Sequence, residues 1–413
     1  MDVSDGHRMH APDRPRVVAI ARLFHPWIGG TERQALKLAH ALVDLGVDVR
    51  VVTGWWFRGT PQTEEIEGIR VFRNHTLWEC FGIRGLRKFG GYLYLITLLW
   101  HLWRTRGTYD VIHVHALNYH TAAAALAGRI LGKPTVVKLA NSGRASDIDK
   151  MRNDEQLALA HLLLPTALRC DRFVASNATV VRELAAAGVG AERICRIPNG
   201  VETDHIRPKA SYEQSDPTII TYVGRLHRQK GVDTLLRAFA RLSAREGADP
   251  IRLDLVGDGP LRDELEALAH RLGISDGVRF LGASDRVPDV LGASDVFVLP
   301  SRAEGLSNAL LEAMSSGLPC VVSDIPGNVD VITDRDNGLL FTVDDPEVLA
   351  DTLLGVVRSP GLREALGRRA RHTAETTYAL GHVARRYATL YAALCRSGFD
   401  ERRDLAAPTR AEG

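Results

Sequence analysis

Long apolar runs are missing from this 413-residue chain. Nothing reaches the ~18 consecutive apolar residues of a membrane-spanning helix, so no span is expected. Paired cysteines are missing as well. Cys80, Cys170, Cys195, Cys320 and Cys395 are scattered, with neither metal-type nor redox-type spacing. That pattern argues against a disulfide framework or a zinc site and fits reduced, buried thiols. Charge of one sign is not in excess either. A net charge of +2, without a basic block, argues against nucleic acid as a partner. The first fifteen residues carry Asp2, Asp5, Arg8, Asp13 and Arg14. A secretory signal is therefore not expected there, and the expected location is cytoplasmic.

What is present is a globular composition, 45% hydrophobic and 25% charged, over a length that exceeds one ordinary core. Apolar strand-like runs alternate with helical periodicity from Val17 onward. Val17–Ala21, Val47–Thr53, Ile69–Val71, Val111–Val114, Thr135–Lys138 and Phe173–Ala175 read as strands of a first half. Thr218–Val223, Leu253–Val256, Val278–Leu281, Val296–Leu299 and Cys320–Val322 read as strands of a second. Such alternation predicts α/β architecture, two doubly wound parallel sheets with helices on both faces. The expected boundaries are 14–205 for the first half, a polar linker at 206–217 and 218–375 for the second half. A helix at 376–396 is expected to pack back on the first half, followed by a disordered tail at 397–413.

Open α/β sheets bind ligands beyond the carboxyl ends of their strands. Four loops there carry chemistry. Gly29-Gly30 precedes the first helix and permits a close approach of ligand to backbone amides. Val111-Ile112-His113-Val114-His115 ends a strand with two histidines on one side of the sheet. A metal there would need a third ligand, with His120 the one obvious candidate, so a hydrogen-bonding role in a cleft is the better reading. Arg225 and Lys230 bracket a glycine-bounded loop, as a diphosphate would require. Glu304-Gly305-Leu306-Ser307-Asn308-Ala309-Leu310-Leu311-Glu312 runs from a loop into a helix that Ser307 caps. It offers two carboxylates for hydroxyls and free amides at a helix N-terminus. Cations for phosphate and acids for hydroxyls describe a nucleotide sugar. Asp147-Ile148-Asp149 and Asp334-Arg335-Asp336 read as solvated loop charges instead.

With Gly224-Arg225-Leu226 through Lys230-Gly231, Val256-Gly257-Asp258-Gly259-Pro260 and the Glu304–Glu312 stretch, the chain resembles family-four (group 1) retaining glycosyltransferases of the GT-B type. Gly29-Gly30, His113-Val114-His115 and Pro198-Asn199-Gly200-Val201 extend the likeness into the first half. It implies two Rossmann-like domains facing across a cleft, with a nucleoside-diphosphate sugar as co-substrate and no metal or other cofactor. Arg225 and Lys230 would hold the diphosphate. Glu304 would contact the transferred sugar, with Gly305, Leu306, Ser307, Asn308 and Leu310 in the donor site, and Glu312 would accept from the ribose. Gly29 and Gly30 would approach the phosphates, and His115 would face the sugar. The implied role is transfer to a glycan or lipid-linked acceptor in cell-surface polysaccharide or glycolipid biosynthesis.

Where many relatives carry His-Gly, this chain has Ala140-Asn141-Ser142-Gly143, so the acceptor stays open. A sugar-nucleotide epimerase, a phosphorylase or a non-catalytic sugar-nucleotide-binding subunit would share the architecture. A nicotinamide dehydrogenase is a poor match, because Gly257-x-Gly259 has Arg262 in the third glycine's place. Gly90–Trp103 is apolar, aromatic and flanked by Arg84, Arg87, Lys88, Arg104 and Arg106. A core helix is the first expectation for it. A peripheral contact of 84–106 with an anionic surface, the inner face of a membrane, is the second.

Overall fold

The computed structural model describes residues 14–406, other than 27–28, 58, 77–89, 140, 144–145, 156, 214 and 246–249. The first half contains strands β1 (Arg16–Ala21), β2 (Asp48–Gly54), β3 (Thr63–Ile66), β4 (Ile69–Asn74), β5 (Val111–His115), β6 (Thr135–Lys138), β7 (Arg172–Ala175) and β8 (Ile194–Arg196). They form one sheet in the order β3-β4-β2-β1-β5-β6-β7-β8, and β3 alone runs antiparallel to its neighbour. The second half contains β9 (Thr218–Val223), β10 (Ile251–Val256), β11 (Val278–Gly282), β12 (Val296–Leu299), β13 (Cys320–Ser323) and β14 (Leu339–Phe341), ordered β11-β10-β9-β12-β13-β14. Strands β5, β6, β12 and β13 are buried along their whole length. Helices cover both faces of a parallel sheet, which is why these strands are rich in apolar residues on both sides.

Three strands escape the sequence pattern, for a common reason. β3, β8 and β14 span three or four residues, and β3 is Thr-Glu-Glu-Ile. β3 is polar, and β8 and β14, at three residues each, are too short to show alternation. Their strand state comes from pairing with a neighbour.

In each sheet the chain winds outward from a central pair, β1/β5 in the first and β9/β12 in the second. A crevice opens at the carboxyl ends of such a pair, because the connections on either side leave in opposite directions. The two crevices face one another. Parallel register aligns Ala21, His115 and Lys138 in a row along the first crevice.

Two expectations need correction, and the linker gains detail. The 206–217 segment, expected as a polar linker, is packed against the second half. Ile206 and Tyr212 are buried, Tyr212 Oη donates to Gly317 O at 2.7 Å, and Lys209 pairs with Asp295 at 2.9 Å. Its apolar anchors fasten it to the second half. Asp147 is not a solvated loop charge. It opens the helix Asp147–Arg152 with 3% exposure and accepts from Asn141 Nδ2 at 2.8 Å. The last helix, Leu380–Ala406, continues well into the stretch expected to be disordered. Its Val383, Ala384, Tyr387, Tyr391 and Leu394 join the core formed by β1, β2 and the helix Gly30–Asp44. Tyr391 Oη lies 2.8 Å from His113 Nδ1, so His113 is built into that core.

The aromatic helix Gly90–Arg104 satisfies the core reading on one face. Tyr94, Leu98 and Leu102 are wholly buried. Its opposite face leaves Ile96, Trp100 and Trp103 exposed, with the two indoles stacked at 5.0 Å and Arg106 over Trp103. Arg84, Arg87 and Lys88 lie outside the described residues.

Candidate functional site

Both crevices line a single cleft of about 520 Å³. From the first half come Gly29, Gly30, Arg33, Gln34, His115 and Lys138. Facing them are Arg225, Lys230, Gly257, Glu304, Ser307 and Glu312. Leu310 does not reach the cleft. Its side chain is buried in the core of the second half, and its N–H points to the capping Ser307 Oγ.

Two glycines hold the second-half loops in place. Gly231 is left-handed (φ +64°), and a Cβ there would overlap Pro300 O. This contact sets the loop after β9 against the loop after β12. Lys230 Nζ consequently donates to Glu304 Oε1 at 2.6 Å, where Ser301 Oγ also donates. Oε2 of the same carboxylate accepts no hydrogen bond among the described residues. Gly257 (φ +135°) abuts Gly224 O, leaving no room for a side chain. Arg225 is exposed on the cleft wall, its guanidinium without a protein partner among the described residues.

The Glu304–Leu306 loop is gripped from the first half by its carbonyls. Ser142 Oγ donates to Glu304 O at 3.2 Å, Asn177 Nδ2 to Gly305 O at 2.6 Å and Asn199 Nδ2 to Leu306 O at 3.2 Å. With those oxygens bonded on one side, the N–H groups from Gly305 to Asn308 have no protein acceptor among the described residues. They stand at the N-terminus of the helix Asn308–Ser315, where the macrodipole adds partial positive charge. This is a site for hydroxyl or phosphate oxygens. Asn308 Nδ2 also donates to Gly30 O at 3.0 Å, closing the cleft at one end.

Glu312 is 8% exposed, and burial pushes its carboxyl above the ordinary range. Lys37 and Arg33 on the first-half helix pull it back down. Lys37 Nζ lies 3.6 Å from Glu312 and 2.8 Å from Glu202. On the opposite wall burial pushes His115 down to about 3, and neighbouring Lys138 adds to the shift. The imidazole is therefore neutral at pH 7, able to hydrogen-bond but not to serve as a proton donor from the imidazolium. Ala116, just after it, sits at φ +71°, a conformation that costs ~1 kcal/mol for a non-glycine residue and is common at functional sites. Among the described residues no group of His, Cys, Asp and Glu has the arrangement of a metal site.

The sequence reading brought together Arg225, Lys230, Glu304, Glu312, Gly29, Gly30 and His115, and all of them border the cleft. It missed Arg33, Gln34, Lys37, Lys138 and Asn199. Gly30, Arg33, Gln34 and Lys37 share the helical spacing of one face, a signal available in principle. Lys138 ends a strand, the position that marked His115.

Burial brings Lys138 down to about 8 from 10.5. A lysine depressed on folding gives up a proton that the unfolded chain keeps, so wild-type stability should rise as pH climbs from about 8 toward 10.5. Lys138→Met should be more stable than wild type at pH 7, by on the order of 3 kcal/mol, the gap narrowing with alkalinity. Urea unfolding of both proteins across that range checks it, and a less stable methionine variant at pH 7 would contradict the burial account.

The chain matches two family models, Glycosyltransferase Family 4 over residues 28–205 and Glycosyl transferases group 1 over residues 205–373. An uncharacterized glycosyltransferase of Methanocaldococcus jannaschii is 27% identical over 385 residues, covering 88% of this chain and 94% of its own. The UDP-Gal:alpha-D-GlcNAc-diphosphoundecaprenol alpha-1,3-galactosyltransferase of Escherichia coli is 27% identical, covering 80% and 85%. Among solved structures, sucrose-phosphate synthase from Thermosynechococcus elongatus superposes with a TM-score of 0.78 at 20% identity, over 93% of this chain and all of the other.

Proposed function

We propose, because this chain belongs to the family-four, group 1 glycosyltransferases, that it transfers a sugar from a nucleoside diphosphate to a glycan or lipid-linked hydroxyl, retaining anomeric configuration without a metal. Its two facing doubly wound sheets are the GT-B architecture. The observation that carries the reading is the juxtaposition, in one cleft, of Arg225 and Lys230 with Glu304, Glu312 and the unpaired amides of Gly305–Asn308. The Escherichia coli relative is named for a UDP-galactose donor and a diphosphoundecaprenol-linked acceptor, which is the class of pair suggested for this chain.

In the reaction, the acceptor oxygen bonds the anomeric carbon while the bond from that carbon to the diphosphate breaks. The hydroxyl proton passes to the departing phosphate oxygen on the same face, so no protein nucleophile is needed. Arg225 and Lys230 stabilise the negative charge that develops on the leaving group. Lys230 is held by Glu304 before donor arrives, so its charge is oriented in advance. Glu304 Oε2 and the loop amides take sugar hydroxyls, neutral His115 faces the sugar from the other wall, and Glu312 accepts from the ribose. Lys37 fixes the position of that second carboxylate.

The test is turnover with a panel of nucleotide sugars in excess EDTA, the product anomer read by NMR. Undiminished transfer with retained configuration is expected. Activity lost to EDTA and restored by Mg²⁺ or Mn²⁺ would remove Arg225 and Lys230 from the role given to them.

Glu304 and Glu312 should separate by the part of the donor they hold. A charge-assisted hydrogen bond contributes roughly 1.5–3 kcal/mol. Glu304→Gln should slow transfer ~10² while leaving free nucleoside diphosphate binding nearly intact, and Glu312→Gln should weaken that binding about tenfold. Calorimetric titration of the nucleoside diphosphate decides it. Equal loss in both variants would be fatal to the assignment.

The exposed Ile96, Trp100 and Trp103, with Arg104 and Arg106 beside them, support a peripheral seat on an anionic membrane face, where a lipid-linked acceptor would lie. Co-sedimentation with anionic but not neutral vesicles is expected, weakened in Trp100→Ser/Trp103→Ser. Equal recovery with both kinds of vesicle, or with neither, would leave that face without this role.

A further inference from the structure

The first-half wall of the cleft carries a positive charge that no ion pair among the described residues balances. Lys138 ends β6, is 7% exposed and borders the cleft beside His115 and Asn141. Among the described residues it has no hydrogen-bond or ion-pair partner. Its electrostatic neighbours are basic too, since it depresses both His113 and His115. A buried ammonium without a counter-ion is among the least favourable groups in a protein interior. The fold tolerates it in a water-accessible cleft, and such a group is completed by an incoming anion.

Which anion follows from position. Arg225 and Lys230 stand on the opposite wall and already supply two cations for a diphosphate. Lys138 stands with His115, on the side from which a second substrate must approach the sugar. The segment just after it touches the sugar loop, through Ser142 Oγ on Glu304 O. An anion held at Lys138 therefore lies close to the transferred sugar and away from the donor phosphates.

We propose that Lys138 binds an oxyanion carried by the acceptor itself, a phosphate or carboxylate near the hydroxyl that is glycosylated; this rests on the donor-site reading above. Asn141 borders the same mouth of the cleft, its amide nitrogen already donating to the buried Asp147. With its proton retained up to about pH 8, Lys138 is charged at neutral pH, and a bound anion holds that proton more firmly.

The probe is sulfate, whose charge stays constant through the neutral and alkaline range. Full-length wild type and Lys138→Met, each saturated with nucleoside diphosphate to occupy Arg225 and Lys230, are titrated by calorimetry at fixed ionic strength. One sulfate should bind wild type and bind Lys138→Met at least ~10-fold more weakly, with nucleoside diphosphate affinity equal in the two. Equal sulfate binding, or none in wild type, overturns the proposal. So does a parallel loss of nucleoside diphosphate affinity in Lys138→Met, which would assign the lysine to the donor. If wild type binds no nucleoside diphosphate, the donor reading falls separately. Sulfate affinity lost in Lys138→Met but kept in Lys230→Met would then still establish the anion site, and affinity kept in both would refute it. Should Lys138→Met fail to fold, wild type alone decides. Sulfate affinity should fall ~10-fold per pH unit above about 8, since His113, His115 and His120 are neutral throughout. A flat alkaline profile refutes the assignment. Parallel titrations with inorganic phosphate and acetate show which oxyanion the site prefers.

Discussion

Three carbonyl oxygens organise the active cleft. Those of Glu304, Gly305 and Leu306 are bonded by Ser142, Asn177 and Asn199, side chains that lie more than a hundred residues earlier in the chain. A peptide group whose oxygen is fixed has its N–H fixed as well, because the unit is planar. The grip thus presents the loop's amides toward the cleft and joins the two halves through the same bonds. Asn308 and Lys37 add further ties across the gap, to Gly30 O and Glu312. The presentation of those amides and the relative placement of the two sheets therefore depend on one set of contacts.

The electrostatics of the two walls differ, and the difference suits two substrates. In the second half Lys230 pairs with Glu304, and Arg302 with Asp233 and Asp344. The Arg225 guanidinium stands open to the cleft, without a protein partner among the described residues. The first half brings His115 and Lys138 to the cleft, with His113 and His120 buried beside His115, and burial shifts all four toward neutrality. Concentrating buried basic groups costs stability. Proteins retain such arrangements where function outweighs that cost.

Most of the fold was legible because parallel strands covered on both faces leave apolar runs that cannot be mistaken for loops. β6, β12 and β13 are examples, each buried at every position. β3 was illegible, being polar and held by its hairpin partner β4. The second-half site residues were legible because they cluster within two short stretches, Arg225–Lys230 and Glu304–Glu312. Lys37 and Asn199 were not. A lysine in an amphipathic helix reads as a solvated position until a carboxylate from the other half is placed against it. Asp147 failed in the opposite direction, as a polar stretch concealed a buried carboxylate that accepts from Asn141.

Local chemistry in the chain determined the alternation of strands and helices, the Ser307 cap, and the left-handed turns at Gly231 and Gly317. Each carries a signal in residues a few positions apart, so each is legible in a short window. Tertiary structure alone decided which loops meet. It placed Tyr391 on His113, turned Leu310 into the core, made His115 neutral and left Lys138 without a partner among the described residues. Burial and charge pairing depend on groups brought together from distant parts of the chain. The protonation of a cleft, and with it the charge of the ligand it accepts, is therefore set by the assembled fold.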